Sequence, residues 1–341
     1  MPEIVDDKSQ HCIPFLLDRL RVHTERHRGN PSTPPFFIGL NGVQGAGKTV
    51  LVSALNDTLR SEPYSLSVVT LSLDDIYLDH VNQVALAQAH PSNPLLQHRG
   101  QPSTHDLALG EEVFASLAAE RPTAIPQYDK SAFEGQGDRV PKTQWNVVNE
   151  AGQEKVKVVI FEGWCVGFRA WNDQTLRAKW EAAVQQKENG KYDGRLGHVK
   201  FEDVKAVNDA LKQYDALTEW VSSAIGDCPT RSFANIGFLS LRSKLDALIH
   251  IDAENPRFVY EWRQEQERTL RAAKGVGMTE EQVNHFVDGY YPSYELFTEP
   301  LREGAFKPTP HNPSVSNPDW QGRQLRLVVD RDRRVHKVIR I

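Results

Sequence analysis

A short apolar run, Phe36-Phe-Ile-Gly-Leu-Asn41, breaks into Gly42-Val43-Gln44-Gly45-Ala46-Gly47-Lys48-Thr49, and no other string limits the fold of this chain as much. The spacing is G-x-x-x-x-G-K-[ST], the pattern of a phosphate-binding loop. Its glycines let backbone N–H groups of residues 42–49 close around phosphate oxygens, an approach that a Cβ would obstruct. Lys48 is placed to reach the β- and γ-phosphates of a nucleoside triphosphate, and the Thr49 hydroxyl to ligate Mg²⁺. Residues 50–59 then carry apolar side chains at helical spacing. A helix N-terminus would therefore point its dipole at the same phosphates.

The order strand, loop, helix recurs downstream. Residues 66–73 read as a second buried strand, 155–161 as a third and 245–251 as a fourth. Strands alternating with helices imply a parallel sheet with right-handed crossovers. Residues 9–28 read as an N-terminal helix, followed by a proline-containing linker to residue 35. Residues 36–341 form the main unit, with an insert at about 77–149 and a helical, lid-bearing region at about 169–301. Helices are expected over 169–187, 202–224 and 256–273, with Thr279 capping another. Residues 188–197 read as a flexible surface loop and 306–320, with four prolines, as an extended one. Residues 324–330 and 334–341 read as a late strand and its hairpin partner.

Composition excludes several classes. The net charge is −5 with 25% charged residues, so nothing points to nucleic acid or an anionic membrane surface. No apolar run approaches the roughly 18 residues of a membrane span. Three dispersed cysteines, Cys12, Cys165 and Cys228, fit a reduced protein without a disulfide framework or zinc site. The acidic Met1–Asp7 stretch does not look like a leader. The expectation is a cytoplasmic protein, a monomer or small homo-oligomer, with a small-molecule partner.

Chemistry concentrates at strand ends. Strand two runs into Leu73-Asp74-Asp75-Ile76-Tyr77. Residues just past strand C-termini line the ligand crevice of an open parallel sheet. An aspartate there can take the proton of an attacking hydroxyl, or merely cap the next turn. Strand three ends in Phe161-Glu162-Gly163-Trp164, where Glu162 is placed to hold Mg²⁺ directly or through water.

Between them lie His98-Arg99-Gly100-Gln-Pro-Ser-Thr-His105-Asp106 and Pro126-Gln-Tyr128-Asp-Lys130-Ser131, the latter followed by Gly137-Asp-Arg139. Arg99, Lys130 and Arg139 suit an anionic substrate, since guanidinium matches carboxylate bidentately. Alternatively these strings form a salt-bridged surface, with the residues around Asp106 capping a helix. His98 and His105 have no matching ligand set for a metal. The string Val259-Tyr-Glu-Trp-Arg263 lies on a charged helix, either as surface or as the carrier of a lid arginine.

Taken in this order, the strings resemble the glycerate kinase family of plants and fungi, phosphate-loop kinases related to uridine kinase, phosphoribulokinase and bacterial pantothenate kinase. The resemblance spans roughly residues 36–301. It implies an α/β, three-layer αβα P-loop NTPase/kinase fold with a central, mostly parallel sheet. It implies ATP and Mg²⁺, with phosphoryl transfer to a hydroxyl of a small metabolite, D-glycerate in the plant enzymes. Asp74 takes the catalytic role over Asp75 on this resemblance, beside Lys48, with Ile76 where related kinases carry an aromatic residue. Arg99, His105, Asp106, Tyr128, Arg139 and Arg263 fall in its substrate-binding strings. A different acceptor (nucleoside, pantothenate or sugar acid) and a non-catalytic ATP-binding switch are the alternative readings.

Overall fold

The computed structural model describes residues 6–30, 33–220, 242–275, 277–307 and 320–341. Apolar runs without polar alternation become the centre of a six-stranded sheet. Its strands are β1 (Phe36–Gly42), β2 (Val68–Ser72), β3 (Val158–Gly163), β4 (Ala247–Ala253), β5 (Gln324–Val329) and β6 (Val335–Arg340). Their spatial order is β6-β5-β4-β1-β3-β2. Every pairing is parallel except β5 with β6. All seven residues of β1 and of β4 are buried, as expected for strands covered by helices on both faces. The edge strand β6 is mostly exposed and carries His336, Lys337 and Arg340, charges that discourage further pairing.

The fold is a three-layer α/β architecture built on a central, mostly parallel sheet. Helix Lys48–Arg60 buries Leu51, Leu55 and Leu59, one face at helical spacing. The N-terminal helix Ser9–Arg26 packs against that helix and against β4 through a face that includes Cys12, Phe15 and Leu16. Because β1 lies between β3 and β4, chain connections diverge on either side of its C-terminal end. That divergence opens a crevice above the sheet.

Between β2 and β3 the chain forms helices His80–Ala89 and Leu107–Ala118 and two small antiparallel ribbons. One pairs Thr123–Ile125 with Asn146–Val148, the other Tyr128–Asp129 with Asp138–Arg139.

Two expectations need correction. The helix expected over 202–224 ends early: Phe201–Leu211 is followed by a 3-10 turn, Lys212–Tyr214, and the short helix Asp215–Thr218. The Tyr214 hydroxyl lies 2.6 Å from His105 Nδ1 and accepts from Ser103 N, so the core draws the chain inward there. Residues 221–224 of that expected helix, and Cys228, lie outside the described residues. The loop expected to be flexible at 188–197 is instead fastened. Half-buried Glu295 accepts the Tyr192 hydroxyl and the amides of Arg195 and Leu196, both at 2.8 Å. The 306–320 loop falls mostly outside the described residues.

Candidate active site

The phosphate loop leaves β1 with Gly45 at φ +80° and Gly47 at +91°, conformations that favour glycine. At Gly45 there is a second reason. An added Cβ would stand 2.5 Å from Cβ of Trp262, on helix Phe258–Lys274. Trp262 is fully buried and donates its indole N–H to Arg331 O at 2.7 Å. Arg333, in the turn between β5 and β6, donates Nε to Gly45 O at 2.7 Å and pairs with Glu265 at 2.5 Å. Its guanidinium sits 5.3 Å from the Trp262 ring centroid. Sequence reasoning missed Arg333, since nothing local ties it to the loop. The signal available was an arginine-dense turn, Asp330–Arg334, between two strands.

Lys48 Nζ donates to Gly42 O at 2.8 Å. Burial pushes its pKa down, while the carboxylates of Glu162 and Asp74 oppose that shift. Lys48 thus sits in the field of both acids. Thr49 is exposed on the first turn of its helix. The Gln44 amide reaches the Tyr294 hydroxyl at 3.5 Å.

The ends of β2 and β3 are bound by one hydroxyl. Ser72 Oγ donates to Glu162 Oε1 at 2.6 Å and accepts the Asp74 amide at 3.3 Å. Asp75 accepts the Ser72 amide at 3.2 Å, closing a capping box. Burial raises the Asp75 carboxyl to about 6. The two adjacent aspartates therefore divide their work: Asp75 holds the turn and Asp74 is left facing the crevice. Burial alone would raise the Asp74 pKa, but the Lys130 ammonium, 2.5 Å away, outweighs it and holds the carboxyl below its ordinary value. Burial, and after it the Asp74 charge, push the Tyr77 hydroxyl well above its ordinary pKa. Ile76 is wholly buried and packs towards Gly110, so the aromatic contribution here comes from Tyr77.

The polar strings between these strands form one wall. His105 is buried, stacks on Tyr77 at 4.4 Å and keeps Nδ1 on Tyr214. Burial lowers its pKa to about 3, so it is neutral, and its Nε2 has no partner among the described residues. Asp106 caps helix Leu107–Ala118 through the Leu109 amide at 3.0 Å and pairs with Arg139 at 3.1 Å. Arg139 also donates to Tyr77 O at 2.7 Å. Arg99 donates to the carbonyls of Gly135, at 2.6 Å, and Gln136, and lies 5.8 Å from the Tyr128 ring centroid. The Tyr128 hydroxyl is buried without a partner among the described residues. Arg263 pairs with buried Glu267 at 3.1 Å and lies over Phe286, which in turn packs on Tyr290. Tyr290 donates its hydroxyl to Arg99 O at 3.1 Å, linking that helical side to the wall.

These residues fit ATP and Mg²⁺. The loop is a backbone turn with Gly45 and Gly47 at positive φ and a lysine at its end, and it leads into a helix N-terminus. No group of three or more metal-ligating His, Cys, Asp or Glu side chains occurs among the described residues. Mg²⁺ held by one carboxylate, a hydroxyl, waters and phosphates needs none.

No family model matches the chain. An uncharacterised kinase of Schizosaccharomyces pombe is 32% identical over 285 residues, covering 83% of this chain and 88% of that protein. The chloroplastic D-glycerate 3-kinase of Arabidopsis thaliana is 29% identical over 321 residues, 93% of this chain but 57% of its own length. The solved structure of D-glycerate 3-kinase from Cryptococcus neoformans superposes with a TM-score of 0.79 at 30% identity, covering 99% of this chain and all of that one.

Proposed function

Because the chain belongs to the D-glycerate 3-kinase-like family of ATP-dependent kinases, we propose that it phosphorylates a hydroxyl of a small hydroxy acid, D-glycerate in the first instance. The observation that carries this reading is the division of Asp74 from Asp75. One acid is spent on the Ser72 cap, the other is held ionised beside Lys48 and Glu162 at the mouth of the crevice.

ATP–Mg²⁺ supplies the transferable phosphoryl group and the charge that screens it. Lys48 and the amides of residues 42–49 hold the donor phosphates, and Thr49 and Glu162 orient the metal. Asp74 accepts the acceptor's hydroxyl proton as the new O–P bond forms and the bond to the leaving diphosphate breaks. Tyr128 faces the acceptor. Arg99, Arg139, His105 and Asp106 act by building the wall behind it, and Arg263 steadies the helical side through Phe286. Buried free thiols at Cys12 and Cys165 suit the reducing cytoplasm, where we place the protein. Among the described residues no helix is long and apolar enough to cross a membrane.

Purified protein with ATP, Mg²⁺ and a panel of hydroxy acids, polyols, nucleosides and pantothenate tests the proposal. ADP release that depends on D-glycerate, with phosphoglycerate formed in equal amount, is the expected result. ADP release without any acceptor dependence would contradict it.

A further inference from the structure

Three cationic side chains on the acceptor wall were candidates for an anionic substrate, and the structure separates them. Arg99 spends its guanidinium on backbone, donating to the Gly135 and Gln136 carbonyls and, at 3.4 Å, to Lys130 O. Arg139 is spent on Asp106 and on Tyr77 O. Lys130 differs from both. Its side chain is 58% exposed, and its ammonium rests on Asp74 Oδ2 at 2.5 Å, the atom the proposed reaction requires as a base.

The backbone around Lys130 is held in place, while its side chain is exposed. Asp129 accepts the Ser131 amide at 2.9 Å and the Ser131 hydroxyl at 2.6 Å, fixing the turn. The Gly137 amide donates to Ala132 O at 2.8 Å. Gly137 has φ +88°, and a Cβ there would meet Tyr128 Cε1 at 2.5 Å and Arg99 Nη1 at 2.9 Å. The ribbon therefore presents one long, exposed cation from a fixed base, against the carboxylate of Asp74.

An ammonium on Asp74 stabilises its ionised form but also blocks access to it. A substrate that carries its own carboxylate offers Lys130 an alternative partner of equal charge. We propose that Lys130 is the specificity residue for acidic acceptors: the acceptor's carboxylate takes the Lys130 ammonium, and this exchange bares Asp74 to receive the hydroxyl proton. A neutral polyol cannot make the exchange and meets a base that is still covered. The exchange moves one ion pair and breaks no covalent bond. This inference rests on the proposed kinase reaction and adds to it the residue that selects an acidic acceptor.

The test compares D-glycerate with glycerol, which keeps the hydroxyls and lacks the carboxylate, using the full chain with ATP and Mg²⁺. Wild-type kcat/KM is expected to favour D-glycerate by about 10- to 100-fold or more, the range set by one charge-assisted contact. Lys130→Met is expected to lower kcat/KM for D-glycerate by a similar factor and to collapse that ratio, with ATP affinity by calorimetry unchanged. Lys130→Arg, which keeps the charge, should restore most of the preference. A Lys130→Met protein with wild-type KM and wild-type preference overturns the assignment while leaving the kinase reading in place. A wild-type protein inert towards both acceptors overturns the kinase reading and the Lys130 assignment with it.

Discussion

The two halves of the crevice are built in opposite ways. The donor loop at residues 42–49 is held from several directions: by the seven buried residues of β1 below it, by Trp262 against Gly45 and by the Arg333 bond to Gly45 O. The acceptor ribbon pairs only two residues with two, and Arg99 ties its loop to the wall through carbonyls. The contrast suits the chemistry we propose for each. A triphosphate is bound by backbone dipoles whose positions must be fixed in advance, whereas an acceptor is recognised by side chains that exchange partners.

Breaking the donor half should cost most. Lys48→Met removes the cation aimed at the phosphates and should lower kcat by about 10²- to 10³-fold, with D-glycerate KM little changed. Steady-state kinetics with each substrate varied in turn will separate the two. Gly45→Ala forces a Cβ onto Trp262 at a positive φ and should cost about 1–3 kcal/mol. Calorimetric ATP binding and thermal unfolding will register that loss, and Arg333→Gln should move both in the same direction by less.

Arg99→Ala tests the other half. It frees the carbonyls of the acceptor loop and should raise D-glycerate KM about tenfold while ATP affinity stays within a factor of two, about 1.4 kcal/mol on one side only. A change in both affinities would show that the halves are not independent.

The smallest effect at neutral pH concerns His105, at the base of the acceptor wall. Burial holds its folded pKa at about 3, below the ordinary value of 6.5. The unfolded chain therefore takes up a proton first as pH falls, so stability is full above about 6.5 and declines towards 3. Urea unfolding of His105→Gln should match the wild-type change near pH 7.5 in slope and show a flatter loss at pH 5.

Much of the donor half was legible before any coordinates, because a phosphate loop is a contiguous string whose glycines, lysine and threonine each have a local reason to be there. The strands too could be read, since runs such as Val158–Phe161 are wholly apolar. The acceptor half was legible only as residue types. Arg99, Lys130 and Arg139 look interchangeable in sequence, and their different fates depend on carbonyls and carboxylates brought in by folding. Arg333 was invisible because its partner, Gly45, lies at the other end of the chain. The truncated helix after Leu211 was missed because a buried histidine, not local propensity, decides where Tyr214 goes.

The central claim is that the donor and acceptor halves meet at Asp74, and that this acid serves the acceptor alone. Phosphoryl transfer to D-glycerate by Asp74→Asn, measured beside the ATP affinity of the same preparation, tests it most directly. The account expects kcat to fall by about 10²- to 10⁴-fold with ATP affinity unchanged. Transfer at the wild-type rate, or ATP affinity lost in parallel with activity, would contradict it.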